Sequence, residues 1–324
     1  MPATETPPAF EPHRILCAGI AVIDQVFLVP YVPQGEGKTR ADDFVSVAGG
    51  GAVNAAIAIA RLGGIAHFAG PLGDGKGKDP LGDQIIAALA AEGIDCSGCV
   101  RVDGVSSPVS AVLIDPEGER TIIHHRAGLL NKVAPARPNQ LVATIDGVLA
   151  DDHCPEFATP ICVEARRRGL PVVLDIEKRV ADAEALYAAS THRIFSRKGL
   201  LISLGHDPAD SAVDLASALA SIASGDAGFY AVTDGPKPVQ WCCGEARGEV
   251  PAFPLKIVDT LAAGDVFHGA FAFALLAGGD SVEALRFAAA TAAIKCTRFG
   301  GGAVAPTRDE VARLLAASRG IGEK

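Results

Sequence analysis

The sequence predicts an α/β fold: a mostly parallel sheet with helices on both faces. Three observations carry it. Strand-like and helical stretches alternate through the middle of the chain, at 140–150, 161–169, 171–177, 181–188, 192–196, 209–222 and 228–235. Such alternation builds parallel sheets through crossover helices. Runs such as PVVLDIE (171–177) are apolar without a period of two, as strands covered on both faces are. No Gly/Ser-rich or charged linker divides the 324 residues, so one large domain with a small satellite is expected.

The composition excludes several function classes. Aromatic residues make up 5% of the chain, the formal net charge is −9, and no basic stripe is present. A nucleic-acid partner is therefore not expected. The eight cysteines lack metal-ligand spacing: Cys96 and Cys99 form a CxxC, but the Cys242–Cys243 pair is no second knuckle. Residues 1–12 (MPATETPPAFEP) read as a disordered leader before a domain spanning 13–324. With no secretory signal and no membrane span, a cytoplasmic protein is expected.

In chain order, 14–24 (RILCAGIAVID) reads as the first buried strand. Asp24 then stands at its C-terminal end, where open α/β sheets bind ligands; an Asx turn is the structural alternative. Short extended pieces at 26–29 and 44–47 flank a polar stretch holding Lys38, whose plain reading is a solvated edge lysine. Gly49, Gly50 and Gly51 lead into an apolar helix and let backbone approach a ligand closely. Asn54, early in that helix, is an amide that needs partners when buried. The spacing is neither G-x-G-x-x-G nor Walker A, which argues against a nicotinamide-dependent dehydrogenase.

A second strand at 66–70 and a helix at 84–92 enclose a loop with Asp74, Lys76 and Lys78, both lysines reading as solvated. Residues 109–114 and 120–125 form a hairpin about DPEGE, after which His124, His125 and Arg126 lead toward the cleft. Thr233-Asp234-Gly235 closes the last of the alternating strands, and a helix at 288–297 precedes the glycine-rich turn 298–302. Between them, 259–279 (DTLAAGDVFHGAFAFALLAGG) turns from a polar loop into a buried helix. Backbone N–H groups of Ala262, Ala263 and Gly264 would converge at its N-terminus, where an anion is favoured. Asp265 falls in the first turn. A carboxylate beside such donors suits deprotonation of a hydroxyl, and equally suits a purely structural acidic helix start.

The stretches AGGGAVNAAIAIARLG (48–63) and DTLAAGD (259–265) together resemble the two signatures of the PfkB (ribokinase-like) family of carbohydrate kinases. The resemblance covers essentially the whole chain. It implies a ribokinase-like three-layer α/β/α sandwich with a small β-sheet lid formed by about 25–48 and 107–127, through which two copies dimerise. It implies transfer of the ATP γ-phosphate to a sugar hydroxyl with Mg²⁺. Asp265 would be the base, and Ala262, Ala263 and Gly264 the anion hole. Asp24, Gly49, Gly50 and Asn54 would hold the sugar, while Thr233, Gly235, Thr260, Ala293, Cys296 and Gly301 would line the nucleotide. Asp259, with the turn 297–302, would form a monovalent-cation site for K⁺.

Two departures stand out. Alanine occupies position 262 where the family has glycine, which keeps the N–H donor if φ is negative there. Ser196-Arg197-Lys198-Gly199 replaces the family's N-x-x-E, leaving magnesium to ATP, water and Asp175 or Glu177. Gly37-Lys38, GERTII, FSRKGL, GDVFHGA and KCTRFGG resemble the sulfofructose kinase branch. Of the three residues that read the sulfonate there, Lys38 is kept, while His124 and His153 replace an asparagine and an arginine. A different ketose-type sugar is therefore favoured. Sulfofructose, phosphosugars, nucleosides and a catalytically silent sugar or nucleotide sensor stay open.

Overall fold

The protein, described as a computed structural model, is seen over residues 12–75, 78–177 and 183–319. Its strands are β1 (Arg14–Ala18), β2 (Val22–Leu28), β3 (Asp43–Gly49), β4 (Ile65–Ala69), β5 (Pro71–Leu72), β6 (Val100–Arg101), β7 (Val109–Ile114), β8 (Arg120–His125), β9 (Gly147–Asp151), β10 (Val172–Ile176), β11 (His192–Ser196), β12 (Phe229–Thr233), β13 (Val239–Cys243) and β14 (Ala246–Val250). Its helices are α1 (Gly51–Arg61), α2 (Pro80–Ala91), α3 (Pro138–Leu141), α4 (Pro155–Arg167), α5 (Glu184–Ala189), α6 (Arg197–Ser203), α7 (Leu215–Ile222), α8 (Ala263–Leu276), α9 (Ser281–Lys295) and α10 (Arg308–Arg319). Residues 1–11 of the expected leader 1–12, residues 181–182 of the expected helix 181–188, and Lys76 lie outside the described residues.

Among the described residues the large sheet runs β14-β13-β12-β11-β10-β9-β1-β4. It is parallel from β12 to β4 and antiparallel at the β12–β13–β14 edge. One face packs on α1, α2, α8 and α9 and the other on α4, α5 and α7, which makes three layers. The interior strands β9 and β10 are buried at every position, the reason their sequences show no alternation. A separate sheet, ordered β3-β2-β7-β8, packs a small apolar cluster of Val26, Val112 and Ile114 against Leu261 of the loop before α8. No helix among the described residues is long and apolar enough to cross a membrane.

The expected single strand 14–24 is in fact two. β1 ends at Ala18, and the chain leaves the large sheet to enter the small one as β2, so Asp24 is an interior residue of a small-sheet strand. The cause is Asp151 at the end of β9. Its carboxylate accepts the N–H groups of Ile20 (2.8 Å) and Ala52 (3.0 Å), and a Cβ on Gly19 would fall 2.1 Å from it. Asp151 thus takes the backbone donors that a continuing strand would use and fastens β1, β9 and the start of α1 together. Because Val22 and Ile23 are buried in the small sheet, the apolar run does not betray the break.

Helices α1 and α8 approach closely because both faces are small: a Cβ on Gly269 would lie 2.5 Å from the Ala55 carbonyl oxygen. That approach sets the first turns of the two helices side by side, where the polar residues of the two signatures meet.

Candidate active site

The loop 259–262 is built by its own backbone chemistry. Asp259 Oδ1 accepts the Leu261 N–H at 2.7 Å, and Leu261 is buried under the small sheet. The following residue, Ala262, caps α8 with φ +61° and ψ +13°. It is the single non-glycine residue with positive φ among those described. The negative φ set as the condition for keeping this donor is not adopted; the N–H is kept all the same, and the left-handed conformation costs an L-residue about 1–2 kcal/mol. The expected cradle also changes membership. The Ala263 N–H is turned back to the Thr260 carbonyl at 3.2 Å. Among the described residues, the N–H groups of Ala262, Gly264 and Asp265 have no acceptor, as first-turn donors do, and nothing lies within 4 Å of where a Cβ on Gly264 would stand.

Asp265 is half-buried beside these donors. Asn54, in the first turn of α1 and 3% exposed, donates Nδ2–H to Asp265 Oδ2 at 2.7 Å. Burial raises the Asp265 carboxyl above the usual aspartate value. The Asn54 hydrogen bond opposes that rise, Glu177 adds to it, and His153 and Arg120 oppose it more weakly. Asn54 therefore serves the carboxylate directly, while its buried Oδ1 has no partner. Gly302 packs against that amide.

One row across the small sheet carries a polar chain. Register aligns Asp24 with Ser110 and Ser110 with His124. The Ser110 hydroxyl is close enough to Asp24 to lower its pKa and lies 3.1 Å from His124 Nδ1. Burial first, then the Asp265 charge, push Asp24 up to about 6 against the Ser110 bond. Gly49 is required here because a Cβ would fall 2.0 Å from Asp24 Oδ2. Gly50, the N-cap of α1, has φ +98° and would place a Cβ 2.6 Å from the Ile20 carbonyl oxygen. Its role is close chain crossing.

At the ends of β9 and β10, His153 sits between Asp152 (3.8 Å), Asp151 (3.7 Å) and Glu177 (3.5 Å). Burial alone would lower the His153 pKa, but Glu177 and the two aspartates raise it to about 10. Glu177 in turn falls to about 2, chiefly through His153. Arg126 holds the His153 carbonyl at 3.0 Å. Asp175 is 7% exposed and lies 3.3 Å from His268 Nδ1, which also meets the Gly264 carbonyl at 2.6 Å. Burial drives His268 down to about 4 and Asp175 well up, so the imidazole is neutral and braces the first turn of α8.

The absence of an acid at 199 has a steric reason. A Cβ on Gly199 would fall 2.4 Å from the Ile176 carbonyl oxygen and 2.7 Å from that of Glu177, while Ser196 caps α6 by accepting the Gly199 N–H at 3.0 Å. The ionised, half-exposed Glu177 stands at this junction instead.

On the proposed nucleotide side, Thr233 ends β12 with its hydroxyl 3.4 Å from the Phe195 carbonyl, and Gly235 follows with φ +56°. Asp234 between them pairs with Arg197 at 3.6 Å and Lys237 at 3.0 Å. Ala293 is half-buried on α9, and the Cys296 carbonyl accepts the Val258 and Asp259 N–H groups. Two of the residues expected at the nucleotide are otherwise engaged. Gly301 gives its N–H to Asp259 Oδ2 at 3.1 Å. Thr260 donates to the Gly118 carbonyl at 3.0 Å and accepts from Arg120 at 3.0 Å. Lys38 lies exposed on the loop between β2 and β3, and no hydrogen bond or ion pair among the described residues ties it to the site.

Sequence reasoning missed Ser110, Arg120, His268 and Lys295. Arg120 reaches from the small sheet to the loop before α8, and its charge is felt at Asp265, Glu177 and Lys295. Lys295 pairs with Asp259 at 3.2 Å, both 0% exposed. A lone lysine in the apolar run ATAAIKC was a signal, since a buried ammonium requires a counter-charge.

Comparison with known proteins bears directly on this arrangement. The chain is 28% identical to ribokinase of Bacillus subtilis over 316 residues, covering 94% of this chain and 99% of the relative. It is 29% identical to Fructokinase-1 of Oryza sativa over 315 residues, covering 89% and 95%. A crystal structure from Agrobacterium tumefaciens, described as that of a candidate ribokinase, superposes with a TM-score of 0.88 at 34% identity, covering 97% and 100%. The model of the pfkB family carbohydrate kinases matches residues 12–308. The fold is therefore ribokinase-like, and the chain belongs to the pfkB family of carbohydrate kinases.

Proposed function

We propose that this carbohydrate kinase transfers the γ-phosphate of ATP to a primary hydroxyl of a ketose-type sugar or sugar derivative. The observation that carries the reading is Asp265, held by Asn54 at 2.7 Å beside the unpartnered N–H groups of Ala262 and Gly264. Asp265 takes the proton of the attacking hydroxyl. A carboxyl raised above its ordinary value is a stronger base toward that proton than an exposed one. The N–H groups of Ala262 and Gly264 face the charge of the group in transfer, with Arg120 beside them. Asp24 and the backbone at Gly49 and Gly50 contact the sugar, with Asn54 behind them holding the base; the Asp24–Ser110–His124 row fixes the sugar's orientation, and His153 and Lys38 meet its far end. Thr233, Gly235, Ala293 and Cys296 flank the nucleotide.

The donor set fits Mg²⁺ held largely by nucleotide and water, with Glu177 in reach. Glu177 is ionised and 58% exposed at its side chain, whereas Asp175 is buried against His268. Bound there, the ion would neutralise phosphate charge. The small sheet covers the site as a lid, and its outer face, with Ile123 69% and Phe44 49% exposed, suits pairing with a second copy of this chain. Use of ATP and eight unbridged cysteines suit the cytoplasm.

The test is ADP production from Mg-ATP over fructose, ribose, 2-keto-3-deoxygluconate, sulfofructose, phosphosugars and adenosine, with Asp265→Asn alongside. One sugar should drive turnover that the variant loses by about 10²–10⁴-fold with nucleotide binding retained. An Asp265→Asn enzyme as fast as the wild type would overturn the assignment of the base. Nucleotide binding with no turnover on any acceptor would favour a silent sensor.

A further inference from the structure

The resemblance read from the sequence placed a monovalent cation at Asp259, and the residues present do not fit one. Asp259 is fully buried. Its Oδ1 accepts the Leu261 N–H at 2.7 Å, and its Oδ2 accepts the N–H groups of Gly300 and Gly301, each at 3.1 Å. The remaining direction is taken by the ammonium of Lys295, 3.2 Å from Oδ2 and 2.8 Å from the Asp259 carbonyl oxygen. Lys295 is itself 0% exposed and arrives from the last turn of α9. A site for K⁺ needs oxygens turned toward a common centre; here the centre is a positive charge already bonded to the chain.

We infer that the Lys295 ammonium is a built-in replacement for a monovalent cation, so that this kinase is organised and active without K⁺. Three features support the inference. The ammonium binds both the side-chain and the main-chain oxygen of Asp259, so it fixes the residue at which the loop 259–262 begins. The same carboxylate binds Gly300 and Gly301, so one charge pair fastens the loop before α8 to the turn after α9. The cationic groups whose fields reach Asp265 and Lys295 include Arg120, so a further mobile cation would meet like charge. Burial lowers the Lys295 pKa, and Asp259 pushes it back toward the charged form. Lys295 touches neither proposed substrate site, which makes it a positioning residue: it acts on the phosphoryl cradle through Asp259, Leu261 and Ala262.

The inference rests on the kinase reading only for its activity readout; melting tests it independently. Wild-type protein should melt at the same temperature, and turn over at the same rate, when KCl is exchanged for NaCl or choline chloride at constant ionic strength. Lys295→Ala removes the charge and leaves room beside Asp259. Its melting temperature should fall in choline and recover in K⁺, and its turnover should rise about tenfold with K⁺. Lys295→Met removes the charge but keeps the stem, so it should fall in both readouts and regain little in K⁺. A wild-type melting point that rises specifically with K⁺ would overturn the inference whether or not any sugar is turned over. So would a folded Lys295→Ala protein indifferent to every cation. If Lys295→Ala does not fold, the wild-type cation exchange and Lys295→Met decide it. A wild type that melts as expected but phosphorylates no sugar would count against the kinase reading instead.

Discussion

Gly302 offers a way to disturb the proposed base without touching it. A methyl group there would fall 2.1 Å from Asn54 Oδ1, 2.7 Å from Cγ and 2.9 Å from Cβ. Since Cβ is struck as well as the amide, rotation of the side chain does not relieve the contact, and α1 packs too closely on α8 to retreat. Asn54 must shift, and its 2.7 Å bond to Asp265 is lost or lengthened. A hydrogen bond to a charged group contributes about 1.5–3 kcal/mol, which at 1.36 kcal/mol per decade is about 10–150-fold in rate. Overpacking a tight site costs about 1–3 kcal/mol of stability besides. Gly302→Ala should therefore lose kcat by one to two decades and melt a few degrees lower. Steady-state ADP production and thermal melting of Gly302→Ala, Asn54→Ala and the double variant measure both effects. If Gly302 acts through Asn54, the double variant is no slower than Asn54→Ala alone. Wild-type kcat in Gly302→Ala, or rate losses that multiply in the double variant, would refute the reasoning.

The His153–Glu177 pair makes a stability prediction with a defined pH window. His153 is raised from 6.5 to about 10, so its contribution is complete below 6.5 and lost as pH climbs toward 10; Glu177 is lowered from 4.5 to about 2, so its contribution is complete above 4.5 and lost as pH falls toward 2. The stability difference between wild type and His153→Gln, followed by urea unfolding, should be widest between pH 4.5 and 6.5 and shrink on either side; a difference that grows from neutral to alkaline pH contradicts the pairing. On the small sheet, Ile123→Asp should convert a sedimenting dimer to monomer without unfolding the chain, since Ile123 is 69% exposed in the single chain. A wild type that sediments as a monomer removes the proposed interface.

Much of this architecture was legible where local chemistry and tertiary context agree. The hairpin β7–β8 and the strand β11 fall on the residues their patterns indicate, because turn residues and β-branched runs leave little choice. The two signatures were legible as lines of text, but their meeting was not: Asn54 lies 211 positions from Asp265, and only the packing of α1 on α8 joins them. Asp24 was assigned to the wrong sheet because an apolar run does not say which sheet buries it. Gly199 read as the loss of an acid; the structure shows a backbone contact that excludes any side chain. The antiparallel edge β13–β14 and the helices α6 and α10 were not foreseen. β14 is mostly exposed, with little apolar content and only Val250 buried, and an edge strand needs no more.

Ala262 has a consequence for the thermodynamics of ligand capture. Glycine at a left-handed helix cap leaves a loop free to sample many shapes before its ligand arrives, and that freedom is surrendered on binding. Alanine samples far fewer. With the Asp259–Leu261 turn and the Lys295 ammonium holding the residues before it, the loop is set in its donor-presenting shape ahead of any ligand. The strain is borne by the empty protein, in exchange for a smaller entropic loss if, as proposed, a phosphate settles onto the helix.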